Sequence, residues 1–206
     1  MNDVPLVVLI ATIWTYWLGV AIMVLRVRQR NRKLVGVVPE QRLERVMWLI
    51  WVPLVGAWLF LPYAALKRTV APFVLPAFVL VEPYPALRIA AAACAVVSLL
   101  VTVRCWLRMG DDWRMDVGTR KAALITDGLF RLIRHPIYAF SMLLMVCTAL
   151  VVPTAPMIVI AATHLTLMNV KARNEEQHLS AVHGEAYRRY VARTGRFFPR
   201  LSSRDS

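Results

Sequence analysis

The chain repeatedly runs for about 20 residues with few or no charged side chains, and that spacing constrains its fold more than any other feature. Roughly 20 apolar residues in a helix cross a ~30 Å hydrocarbon core, where each backbone amide and carbonyl must be satisfied without water. Residues 5–25, 46–66 and 85–107 form three such runs, and residues 137–170 carry no Asp, Glu, Lys or Arg. One helix over 137–170 would be about 51 Å long, too long for a bilayer. Pro153 and Pro156 near its middle predict two shorter helices joined by a tight turn. The expected fold is therefore all-α, a polytopic membrane helical bundle of about five transmembrane helices. Residues 1–108 supply the N-terminal spans, and 109–206 form a C-terminal region with the hairpin and a polar tail.

Basic residues set the expected orientation. RVRQRNRK at 26–33 follows the first run, and Asp3 is the only charged side chain before it, so the N-terminus is expected outside. Arg104 and Arg108 mark a second cytoplasmic exit, and five spans bring the 109–128 loop and the tail to the same side. The first run lacks a basic n-region and a small-residue cleavage site, so it is expected to be retained. Residues 70–81, interrupted by Pro72 and Pro76, are too short to cross and read as an interfacial or re-entrant connection. Pro53 and Pro62 predict kinks or ends in the second span. Trp48, Trp51 and Trp58 suit headgroup or packing positions, and Arg88, near a span end where snorkelling is cheap, is expected to play a structural rather than a functional role. The run 89–95 is rich in alanine, which permits close helix approach.

A net charge of +13 raises the question of nucleic acid, but the cations cluster beside apolar runs as topology requires, and no nucleic-acid module accompanies them. Cys94, Cys105 and Cys147 lack paired spacing and read as small buried hydrophobes. HxxEH and CxxC spacings, Gly-rich phosphate loops and a GxSxG elbow are all absent, so no metal is expected.

Chemistry concentrates at GLFRLIRHPIY, residues 128–138. Proline in a first helical turn costs no intrahelical hydrogen bond, and exposed amides there can hold an anion such as a carboxylate. Arg134 adds a bidentate donor, His135 a switchable one, and Tyr138 a hydroxyl one turn inside. Equally, Arg134 and His135 read as a headgroup anchor. Glu175 and Glu176 follow the far end of the hairpin, which can return them to the RHP tripeptide; alone they read as a solvated helix face. His183, Tyr187 and Tyr190 default to packing, as does His164 within the apolar hairpin. RFFPR at 196–200 reads as an interfacial clamp or terminal strap.

Taken together, MGDDWR, LITDGLFRLIRHPIY, the uncharged hairpin, NEE and HGEAYRRYVARTGRFFP, spanning 109–199, resemble the isoprenylcysteine carboxyl methyltransferase and phospholipid methyltransferase superfamily. The resemblance implies S-adenosylmethionine bound at the cytoplasmic side and a lipophilic or small methyl acceptor, carboxylate, amine or thiol, entering from the membrane lipid. Carried over, Thr126, Gly128, Leu129, His135, Pro136 and Tyr138 would line the cofactor pocket, with Glu175 and Glu176 closing it. Arg134, Arg173 and Tyr187 would orient cofactor or substrate, Glu176 and the two arginines being the catalytic candidates. Phe140 stands where many relatives have glycine, a bulk that would reshape the pocket or a neighbouring helix contact. Sterol reductases look similar in this region, so an NADPH-dependent membrane reductase is the competing enzyme. A non-enzymatic membrane scaffold is the other alternative.

Overall fold

The computed structural model describes residues 3–31, 41–67, 71–110, 113 and 124–200. Among the described residues six α-helices follow in order: α1 (Val4–Asn31), α2 (Arg42–Leu66), α3 (Tyr84–Met109), α4 (Pro136–Val151), α5 (Ala155–His183) and α6 (Glu185–Arg193). Short 3-10 turns at Ala77–Leu80 and Gly128–Arg131 precede α3 and α4. Among the described residues the only β feature is one isolated parallel bridge, Ile133 to Gly195.

The first five helices alternate in direction. At one end of the bundle, Arg88 in the first turns of α3 donates to the Val151 carbonyl at 3.1 Å and to Asp3 at 2.7 Å. Tyr84 donates to the Leu150 carbonyl beside it at 2.9 Å. The starts of α1 and α3 therefore meet the end of α4. At the opposite end, Lys171 of α5 pairs with Glu44 in the first turn of α2 at 2.9 Å. That second end holds the site.

Helices α1, α2, α3 and α5 are each long and apolar enough to cross a membrane. α4 has 16 residues. At ~1.5 Å per residue it spans about 24 Å, short of a ~30 Å core. Prolines set its length: Pro136 occupies its first turn, and it stops ahead of Pro153, whose ring disfavours α geometry in the preceding residue. Pro156 then opens α5, so the expected hairpin turns at 152–154.

Three details depart from expectation. Pro53 and Pro62 lie inside a helix that continues through both and do not end it. A helix end in lipid would strand amides, whereas neighbouring helices tolerate an interior proline. The polar residues 42–45 belong to α2, because buried Glu44 is held there by Lys171. Arg88 does not snorkel; it is buried in protein and staples three chain segments. Of the basic run at 26–33, residues 32 and 33 lie outside the described residues, as do Asp111, Asp112 and Arg114.

Packing follows side-chain size. Ala91, Ala92, Ala95, Ser98, Leu99 and Thr102 form the buried face of α3, which lies along α4. Gly19 lets α1 approach α3, since a Cβ there would stand 2.6 Å from Cζ3 of Trp106. Trp58 is wholly buried and donates Nε1–H to Thr148 at 3.1 Å. The His164 ring packs against it at 5.1 Å and bonds Ser141 at 3.1 Å, the packing histidine the sequence suggested. Leu18, Leu49, Ile89, Leu100 and Val159 point outward, giving the bundle an apolar exterior suited to lipid. All three cysteines are free thiols, buried or half-buried.

Candidate active site

The polar end is built on the approach to α4. Gly128 opens the 3-10 turn at φ 57°, a conformation that favours glycine. The chain then straightens, and a strap from beyond α6 pairs with it. Arg134 N–H donates to the Gly195 carbonyl at 2.8 Å, His135 N–H to the Arg196 carbonyl at 3.1 Å, and Gly195 N–H to the Leu132 carbonyl at 3.2 Å. The two amides just ahead of α4 are thus consumed by backbone and do not hold an anion. RFFPR acts as the strap, with Phe197 packed 6.1 Å from the His135 ring.

Side chains lock this arrangement. Arg134 donates Nε–H to Glu176 at 2.9 Å and Nη1–H to the Thr194 carbonyl. Arg196 donates both Nε–H and Nη2–H to the same carboxylate, and that bond holds its guanidinium above an already high ordinary pKa. His135 lies between two carboxylates, Nδ1 3.6 Å from Glu175 and Nε2 3.4 Å from Glu176, in ion-pair but not hydrogen-bonding geometry. Its ring stacks on Tyr138 at 5.3 Å, and Tyr138 donates to Glu175 at 2.9 Å.

These groups form one end of a cavity of about 190 Å³ that runs between the helices. Arg134, His135, Tyr138, Glu175 and Tyr187 line its polar end. Tyr16, Trp17, Trp48, Trp51, Trp106 and Trp113 line the rest, with the Glu44–Lys171 pair also in the wall. On α2, Glu44, Trp48 and Trp51 recur at helical spacing and so share a face. Burial, and then the nearby Glu176 charge, pushes the Tyr187 hydroxyl well above its ordinary pKa, so it remains a donor. That hydroxyl is buried with no partner among the described residues. Burial likewise pushes Tyr190 up to about 12, and its hydroxyl donates to the Phe130 carbonyl at 2.6 Å.

The structure sorts the candidates. His135, Pro136, Tyr138, Glu175, Tyr187 and Arg134 reach the cavity. Glu176 adjoins it but turns its carboxylate to the two guanidinium groups, so it reads as a clamp. Thr126 and Gly128 are exposed and Leu129 is half-buried, and none lines the cavity; the segment ahead of α4 presents Leu124, Ile125 and Phe130 instead. Arg173 is exposed on the opposite face of α5, beside an open groove shared with Gln177 and Arg188. Phe140 is half-buried and does not itself line the cavity. Sequence reasoning missed the tryptophan wall and the Glu44–Lys171 pair. The spacing of Glu44, Trp48 and Trp51 on one face was the available signal.

Among the described residues no three His, Cys, Asp or Glu side chains gather as a metal site. No curated protein matches the chain in sequence. The phospholipid methyltransferase family model matches residues 86–186, taking in α3 as well as the segments carrying the RHP and NEE motifs. Over that helical core the chain belongs to the phospholipid methyltransferase family, within the isoprenylcysteine carboxyl methyltransferase and phospholipid methyltransferase superfamily of membrane methyltransferases.

Proposed function

We propose that the protein is an S-adenosylmethionine-dependent methyltransferase acting on a lipophilic or small acceptor that enters from the bilayer, its site on the cytoplasmic side. The observation that carries this is one cavity with two characters, a carboxylate and tyrosine end continuous with an aromatic wall set among the membrane helices. In this reading the C-terminal half from residue 109 supplies the cofactor end, and α1, α2 and α3 supply the lipid-facing wall.

The residues present fit the cofactor. Glu175 has a carboxylate edge on the cavity, suited to an ammonium or to ribose hydroxyls, and the unpartnered Tyr187 hydroxyl can meet a carboxylate or ring nitrogen. Tryptophan faces attract a sulfonium cation as they do ammonium. When bound, S-adenosylmethionine supplies a methyl group already activated for displacement. The protein's part is then alignment and exclusion of water. Tyr138 fixes Glu175 by hydrogen bond, the Arg134–Glu176–Arg196 clamp fixes the segment that carries His135, and the indole wall keeps the reacting end dry. A carboxylate or thiolate acceptor needs no base during transfer. An amine acceptor must give up a proton, and His135, flanked by two carboxylates, is the group at hand.

The test is calorimetric titration of detergent-purified protein with S-adenosylmethionine, S-adenosylhomocysteine and NADPH, with Glu175→Gln as control. Micromolar binding of both adenosyl ligands, weakened about tenfold in the variant, is expected. Binding of NADPH alone would transfer the assignment to a reductase, and folded protein that binds none of the three would remove the enzymatic reading.

A further inference from the structure

The cavity wall holds two polar groups that the reaction above does not use. Trp17 on α1 and Trp51 on α2 both line the cavity, their rings 5.3 Å apart in an edge-to-face arrangement. Each indole Nε1–H is shielded from solvent and has no hydrogen-bond partner among the described residues. Trp58 shows the contrast: deeper in the same bundle, its Nε1–H is satisfied by Thr148 at 3.1 Å. A buried N–H without a partner forfeits the hydrogen bonds it would make in water. Two adjacent ones, on side chains that line one cavity, mark a place where a ligand completes the bonds.

The donors also define what they can take. An indole N–H donates and cannot accept. The matching ligand atom is therefore an oxygen with free lone pairs, a carbonyl or an oxyanion, and an ammonium has nothing to offer there. Phenylalanine would pack as well, so the tryptophans are not explained by ring area alone. Both also lie outside residues 86–186, in the part of the chain that the family match leaves unassigned.

We propose that Trp17 and Trp51 form an anchoring subsite for the methyl acceptor, gripping a carbonyl or oxyanion oxygen of an amphiphile while its hydrocarbon lies along Trp48 and Trp106. The subsite rests on the methyltransferase reading for its role, but its chemistry is tested without the cofactor. Detergent-purified protein is titrated by calorimetry with dodecanoate, methyl dodecanoate and dodecylamine, of which the first two separate an oxyanion from a neutral carbonyl. The same titrations are run on the Trp17→Phe/Trp51→Phe variant, which keeps both rings and loses both N–H groups. At least one oxygen-bearing probe is expected to bind, and to weaken about tenfold or more in the variant, which loses both hydrogen-bond donors. Dodecylamine is expected to bind no differently in the two proteins. Equal affinities of wild type and variant for both oxygen-bearing probes, or an equal loss for the amine, would overturn the subsite. A variant that no longer elutes as the wild type does is replaced by the single Trp51→Phe change, judged by the same criteria. If S-adenosylhomocysteine fails to bind while the probe pattern holds, the methyltransferase reading falls and the subsite stands.

Discussion

Neighbouring carboxylates on α5 are assigned different jobs, and Glu176→Gln against Glu175→Gln tests the division. The Glu176 side chain is 14% exposed and its partners Arg134 and Arg196 are 9% and 33% exposed. Removing one member of a buried ion pair costs about 3–5 kcal/mol, because the other charge stays behind in a poor environment. Here two guanidiniums stay behind, but Arg196 is a third exposed and keeps part of its hydration, so the lower end, about 3 kcal/mol, is expected. At ~2–4 °C per kcal/mol for a chain of this size, Glu176→Gln should melt roughly 6–12 °C below wild type. Glu175 is 32% exposed and accepts one hydrogen bond, from Tyr138. Its neutralisation should cost no more than ~1 kcal/mol of stability, yet weaken S-adenosylhomocysteine binding about tenfold. Thermal unfolding in detergent, followed by loss of the monodisperse elution peak, reads the first quantity, and calorimetry the second. If the two variants melt together, or Glu176→Gln melts within about 2 °C of wild type, the division is wrong.

Three other experiments probe the frame. Gly19→Ala drives a methyl group against the Trp106 ring, and overpacking of this kind costs about 1–3 kcal/mol, read as a lower melting temperature with narrowed ligand access. Lys171→Met strips buried Glu44 of its ammonium partner, and adding Glu44→Gln should recover at least half of the lost thermal stability. In Gly195→Ala the new Cβ would lie 1.7 Å from the Phe198 carbonyl oxygen, so the strap should lift. Limited proteolysis after the arginines at 196 and 200 should then accelerate severalfold, and unchanged cleavage would count against the strap.

How much of this could be read in advance follows from geometry. Hydropathy and the prolines at 153 and 156 were enough for the helices and the hairpin, because lipid forces apolar length into helix and an uninterrupted helix over 137–170 would be too long for a bilayer. The hairpin also brought NEE to RHP. Helix rotation was not legible. Consecutive residues on a helix point about 100° apart, so Glu175 and Glu176 look equivalent in sequence although one meets the cavity and the other the clamp. The same phase groups Arg173 with Glu176 on the outer face and Lys171 with Glu175 on the inner one. The resemblance puts Thr126, Gly128 and Leu129 on the cavity wall, which instead receives Leu124, Ile125 and Phe130; only for Gly128 and Leu129 does the ~120° advance of the 3-10 turn account for the difference. Trp48, Trp51 and Trp58 suit headgroup or packing positions in sequence, because hydropathy does not report whether an indole N–H has found a partner.

α5 runs without a break from the turn at 154 to His183, through the apolar stretch and on to the carboxylates. It has no joint at which the site could shift relative to the bilayer. Each residue between the apolar run and Glu175 sets the height of the cavity mouth in steps of ~1.5 Å, so the helix works as a gauge rod. A host membrane a few ångströms thicker would draw the mouth into the headgroups, and a thinner one would lift it into water. Bilayer thickness would then act on the height of the site separately from the chemistry of its ligand.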